Sequence, residues 1–239
     1  MNLNYIMMRT IVGINDIKVT YPYIISNLAY PLSLLFIVGV LSHGMLITFA
    51  LAGGLIAVLA LNGISLAAAI APMKTDYMYK DMIVASRTSP SDFMFGEMIA
   101  QLMWTAPSIL LFLILDAYFG LLTPFSLIVT LFVGFLVILI ATSIAFLVSS
   151  LIKNSVNVWP LSIILSTIMV TISPTFYPYT YLPKTALYIL ELLPTGSAAI
   201  IEQGLFNLSP MLWYPMIILV AETIVFLLGA RYLTKWREK

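Results

Sequence analysis

The segment PMKTDYMYKDMIVASRTSPSD, residues 72–92, contains Lys74, Asp76, Lys80, Asp81, Arg87 and Asp92. Upstream of it, residues 19–73 hold no Lys, Arg, Asp or Glu, and downstream of Glu97 the next charge is Asp116. Charged side chains are costly in hydrocarbon, so a polar island between two such runs reads as a loop outside a membrane.

Composition agrees with this reading. The 239 residues are 62% hydrophobic and 9% charged, whereas a soluble domain carries about 25% charged residues. Several apolar runs approach or exceed the ~20 residues that a helix needs to cross ~30 Å of hydrocarbon. Their continuity excludes the alternating ~10-residue segments of a transmembrane barrel. The chain lacks cysteine, which removes disulfides, thiol catalysis and thiolate metal sites. A net charge of +1 without a basic stripe gives no argument for nucleic acid.

The hydropathy pattern predicts an all-α integral membrane protein with six transmembrane helices, at about 24–42, 45–71, 93–115, 123–149, 156–173 and 211–232. Residues 1–23 form a cytosolic or interfacial lead-in, either a short helix lying in the interface or a flexible segment. They lack the pattern of a cleaved signal peptide, so the first span is expected to act as the insertion signal. The only histidine, His43, reads as a turn residue. Ser89-Pro90-Ser91-Asp92 has the spacing of a capping box with proline at the first helical position. Prolines at 174, 178, 183, 194 and 210 break the 174–210 segment into short helices, about 183–192 and 195–206. These could dip back into the membrane if protein covers their backbone.

Six spans put both termini on one side. Placing the termini, 72–92 and 150–155 in the cytoplasm gathers ten of the eleven basic residues there and leaves only Lys184 outside. The positive-inside rule supports this orientation, with the cell membrane as location.

No catalytic motif or nucleotide-binding loop is present. Glu222 lies well inside a span and reads either as an interhelical tie or as a contact for substrate or proton. Thr167 and Thr171 can bond to preceding carbonyls of their own helix. Asn62 and Ser65 on the second span favour helix contact or a polar path. A helix over 76–85 would carry Tyr77, Met78, Met82 and Ile83 with an apolar bias, while Asp76 and Lys80 form an i,i+4 pair. Such a helix can lie on lipid or dock in a protein groove. Asn207-Leu208-Ser209 is formally a glycosylation sequon, followed by Pro210.

Two blocks resemble the membrane subunit of ABC-2 type transporters. One is ASRTSPSDFMFGEMIA, residues 85–100, with Ser89-Pro90 and Gly96. The other is ISPTFYPYTYLPKTALYILELLPTGSAAIIEQGLF, residues 172–206. It has a Pro174 and Tyr177-Pro178 entry, Leu182-Pro183, a short helix, Leu193-Pro194-Thr195 and a second short helix with Glu202. The chain departs from the family pattern at 74–80, at Glu97, where a basic residue often follows the glycine, and at Gln203 or Gly204, where an arginine is usual.

The resemblance implies a permease of an ATP-driven exporter, with no cofactor in this chain. ATP and Mg would bind a separate ABC ATPase, present in two copies. A second permease copy, identical or paralogous, would complete the path within membrane lipid. Asp76, Tyr77, Met78, Lys80, Met82, Ile83 and Arg87 would couple to the ATPase. Asn62, Ser65, Thr167, Thr171 and Glu222 would contribute to the path, and Tyr177, Pro178, Pro183, Pro194, Thr195 and Glu202 to an external gate. The alternatives are an ion-coupled secondary transporter, for which only Glu222 offers a site, and a non-transporting membrane scaffold. A membrane enzyme built on Asp116, Glu191, Glu202 and His43 lacks any supporting spacing.

Overall fold

The structure, a computed structural model, describes residues 3–19, 21–75, 88–152 and 154–233. Its regular elements are all helical: α1 Leu3–Val19, α2 Tyr21–Leu41, α3 Ile47–Thr75, α4 Pro90–Tyr118, α5 Pro124–Leu151, α6 Ser155–Ile172, a 3₁₀ turn Tyr179–Tyr181, α7 Lys184–Leu190, α8 Pro194–Leu205 and α9 Tyr214–Leu233. Five of these, α3, α4, α5, α6 and α9, are long and apolar enough to cross a membrane. The pair α7 and α8, bent by 115°, would make a sixth if it forms one broken span. Helix α2 covers the first expected span, and its Pro31–Leu41 part is a shorter apolar helix.

Local chemistry explains where the helices begin and end. At α4 the Ser89 hydroxyl accepts from the Asp92 N–H at 3.1 Å, the Asp92 carboxylate accepts from the Ser89 N–H at 3.3 Å, and Pro90 opens the helix. This is the capping box read from the sequence. Thr123 and Ser126 cap α5 in the same way around Pro124. Three helices stop on a left-handed residue. His43 (φ 51°), Gly120 (φ 72°) and Asn207 (φ 57°) follow the last turns of α2, α4 and α8. In each the next amide reaches back to the helix, Gly44 to Gly39 O at 2.7 Å, Leu121 to Asp116 O at 2.9 Å and Leu208 to Gln203 O at 2.9 Å. These are Schellman closures, and they give His43 its role as a turn residue.

One boundary differs from expectation. The polar segment was expected to leave the helix at Pro72, but α3 continues through it to Thr75. Proline near a helix end removes only one of the last intrahelical bonds, so the final turn survives. Residues 76–87, which hold every expected ATPase-coupling residue from Asp76 to Arg87, lie outside the described residues.

Helix α3 forms the centre. It packs against α5, α6, α4, α2 and α8, and most of its apolar stretch is buried. Leu51, Leu55, Ile56, Phe112, Val137, Ile138, Val170, Ile201 and Leu219 form the main core around it. Close approach of α3 to the turn after α6 depends on Gly53: a Cβ built there would lie 1.6 Å from the Thr175 carbonyl oxygen. Helix α9 packs on α5 and α8, and α1 packs on α4.

Candidate functional site: a junction at the start of α4 and a buried cap after α6

The lead-in is a helix. Its Met7, Met8, Ile11 and Ile14 are exposed along one face, as suits contact with lipid at an interface. The opposite face carries Tyr5 and Gly13, which are buried, and Arg9, which is partly buried. Gly96 on α4 admits the Tyr5 ring, since a Cβ there would come within 2.7 Å of Tyr5 Cε1. Beside it Glu97 is 1% exposed. Its carboxylate accepts from Tyr5 OH at 2.9 Å and from the Arg9 guanidinium at 2.6 Å. A carboxylate this deep is tolerable only when it is paired and hydrogen-bonded. Glu97, the departure from the family pattern, therefore has its counter-charge in α1. The 88 positions between Arg9 and Glu97 keep the pair out of any local sequence pattern.

The second construction begins where α6 ends. Ser173 precedes Pro174, which disfavours helical backbone, and hydroxyls take up the last carbonyls. Thr195 donates to Met169 O at 2.6 Å, Thr175 donates to Val170 O at 2.5 Å, and the Ser173 and Thr195 hydroxyls share a bond of 2.7 Å. Residues 194–204 of α8 are all buried, so protein covers this helix, the condition under which a short helix can dip into the membrane. Gln203 joins the pieces: its amide donates to Pro174 O at 2.7 Å and Tyr177 O at 2.9 Å and accepts from Tyr179 N–H at 3.0 Å. Tyr179 donates its hydroxyl to Pro210 O; burial raises this phenol above its ordinary value and keeps it protonated as a donor. Ser197 donates to Glu191 O at 2.6 Å, and Tyr214 donates to the Glu191 carboxylate.

Of the expected gate residues, Pro178, Pro194, Thr195 and Glu202 are buried in this cap and Tyr177 is half-buried. Pro183 is exposed as the residue preceding α7. Glu202, 1% exposed, accepts from Thr130 of α5 at 2.7 Å. Gln203, Ser173, Ser197, Tyr179 and Tyr214 complete the network. Their signal in the sequence was polar side chains recurring in a segment too poor in charge for a solvated loop.

The expected path residues are spread over α3, α6 and α9. Asn62 is 3% exposed inside α3, with its amide nitrogen lacking a hydrogen-bond partner. Ser65 donates to Asn62 O at 2.8 Å. Thr171 on α6 is exposed and donates to Thr167 O at 2.7 Å. Glu222 on α9 is half-buried, and its Oε2 is buried without a hydrogen-bond partner. Among the described residues no group of three or more His, Cys, Asp or Glu side chains could hold a metal ion.

Long apolar helices around a buried α3, with a sharply bent helix pair whose second member is buried, define a multi-pass α-helical membrane protein. A family model described as ABC-2 type transporter matches residues 4–199. The chain belongs to that family, whose members are the permease subunits of ABC transporters and work with an ABC ATPase subunit. A comparison with curated proteins returns no match.

Proposed function

We propose that this permease serves an exporter of amphiphilic, lipid-like, drug-like or peptide cargo in the cell membrane, with both termini cytoplasmic. Two permease copies enclose the path and two copies of a separate ATPase, which bind ATP and Mg, dock beneath them. Residues 76–87 seat in an ATPase groove through Tyr77, Met78, Met82 and Ile83, with Asp76, Lys80 and Arg87 around them.

The observation that carries the reading is the Tyr5–Glu97–Arg9 junction. The 76–87 segment joins the end of α3 to the start of α4, so a push on it enters both helices. Glu97 ties α1 to the first turns of α4, and the three-residue contact lets α1 and α4 move as one piece. Helix α3 carries the displacement onward, because Gly53 sits against Thr175 at the entry to the cap. The cap then gates the outer end through Tyr177, Pro178, Pro183, Pro194, Thr195 and Glu202. Asn62, Ser65, Thr167, Thr171 and Glu222 contribute to the path formed with the second copy.

The test is reconstitution with the ATPase that co-purifies with the chain. Met82→Asp with Ile83→Asp is expected to insert normally in the membrane, yet to abolish transport and the permease-dependent stimulation of ATP hydrolysis. Retained stimulation and transport in that variant would show that 76–87 is not the docking element. If no ATPase co-purifies and the chain alone moves cargo along an ion gradient, the secondary-transporter reading replaces this one.

A further inference from the structure

Between α4, α5 and α9 lies a half-open groove of about 170 Å³. Met94, Met98, Leu139, Phe146, Leu227 and Leu228 supply its apolar walls, and Ser91 and Arg231 also line it. Thr142 and Ser143 line it as well, but their hydroxyls donate to Ile138 O and Leu139 O at 2.7 Å, so the walls make little polar demand on an occupant. Ser91 and Arg231 belong to one end of the groove, since Ser91 is in the first turn of α4 and Arg231 in the last turn of α9. From Ser91 to Met98 the α4 wall runs about 10 Å at 1.5 Å per residue, against ~15 Å for one leaflet, half of a ~30 Å hydrocarbon core.

Arg231 is exposed. The one salt bridge among the described residues is Arg9–Glu97, and the aromatic contact of Arg231 is Tyr232, with the ring centroid 6.0 Å away. Asp92, the nearest acid in sequence to Ser91, is 5% exposed and directs its carboxylate to the Ser89 N–H. The groove therefore joins an apolar slot running along α4 and α9 to a cation at their shared end, which the membrane reading of these helices puts at the head-group level. We propose that it binds an anionic phospholipid, with one acyl chain between Met94, Leu139 and Leu228 and the phosphate on Arg231. Basic pockets between transmembrane helices bind anionic head groups in this way. An acyl chain gains little by exchanging bulk lipid for an apolar wall, so the preference comes from the charge. This inference rests on the membrane reading of the helices and not on the transport reading.

The test uses the full chain in nanodiscs of phosphatidylcholine containing a minor fraction of phosphatidylglycerol with a photoreactive acyl chain, and maps the labelled peptides by mass spectrometry. Labels are expected on the stretches 94–98 and 227–228, about fivefold above those from an equally photoreactive phosphatidylcholine, as suits one basic side chain near the surface. Arg231→Gln should remove that preference and Arg231→Lys should keep most of it. Leu228→Trp, which fills the slot, should lose the label with an unchanged melting temperature, and Lys184→Gln should change nothing. Equal labelling by the two lipids, labels spread evenly over the outer helix faces, or an unaffected Arg231→Gln would each overturn the proposal. So would labels that emerge only after residues 234–239 are deleted, because the occupant would then be the chain's own carboxyl-terminal segment.

Discussion

Replacing Arg9 by Gln leaves the Glu97 carboxylate 1% exposed with Tyr5 as its remaining partner at that junction. Removing one member of a buried pair costs about 3–5 kcal/mol, and because the Arg9 side chain is itself 16% exposed the lower end, about 3 kcal/mol, applies. Glu97→Gln leaves a cation that can turn toward water and keeps an oxygen for Tyr5, so its cost is about 1–2 kcal/mol. The double variant puts two neutral amides together, and it should cost about as much as Glu97→Gln alone. The cycle then closes with a coupling of about 3 kcal/mol, the whole cost of Arg9→Gln. Equilibrium unfolding in mixed micelles, titrated with SDS and followed by tryptophan fluorescence, reads each corner. Costs that add within about 0.5 kcal/mol would overturn this account of the junction, because the two side chains would then be independent and α1 would not be held by this pair. In the reconstituted transporter Arg9→Gln should also lower the stimulation of ATP hydrolysis, and Arg9→Lys should restore part of it.

Two further outcomes test the cap. Gln203→Leu leaves Pro174 O, Tyr177 O and the Tyr179 N–H without their partner, at about 1 kcal/mol each; a loss of about 2–3 kcal/mol is expected in the same titration, and an unchanged midpoint would deny Gln203 its place at the centre of the network. Gly53→Ala drives a methyl group to 1.6 Å from a backbone oxygen, which only a displacement of α3 from the 173–175 turn relieves, at about 3 kcal/mol or more, the upper end for overpacking. Gly39→Ala, where the nearest atom is Ile47 Cδ1 at 3.8 Å, is the control, and equal melting temperatures for the two variants would remove the contact from the argument.

The class of fold follows from local composition, because hydrocarbon allows few ways to bury a backbone. Runs without charge had to be apolar helices, prolines at 174, 178, 183 and 194 had to break the following segment, and Ser89-Pro90-Ser91-Asp92 had to start a helix. Each of these rules acts within about twenty residues of chain. How distant polar groups meet depends on the packing of the helices. Glu97 looked like a misplaced acid until α1 brought Arg9 and Tyr5 to it, and Gln203 looked like a lost arginine until the turn folded back over its amide. Thr195 and Ser173 become the caps of α6 only once α8 is buried beside it. The reason is physical: apolar burial is non-directional and shows in local composition, whereas a hydrogen bond requires a partner within about 3 Å, and only the packing of α1 on α4 and of α8 on α3, α5 and α6 provides one.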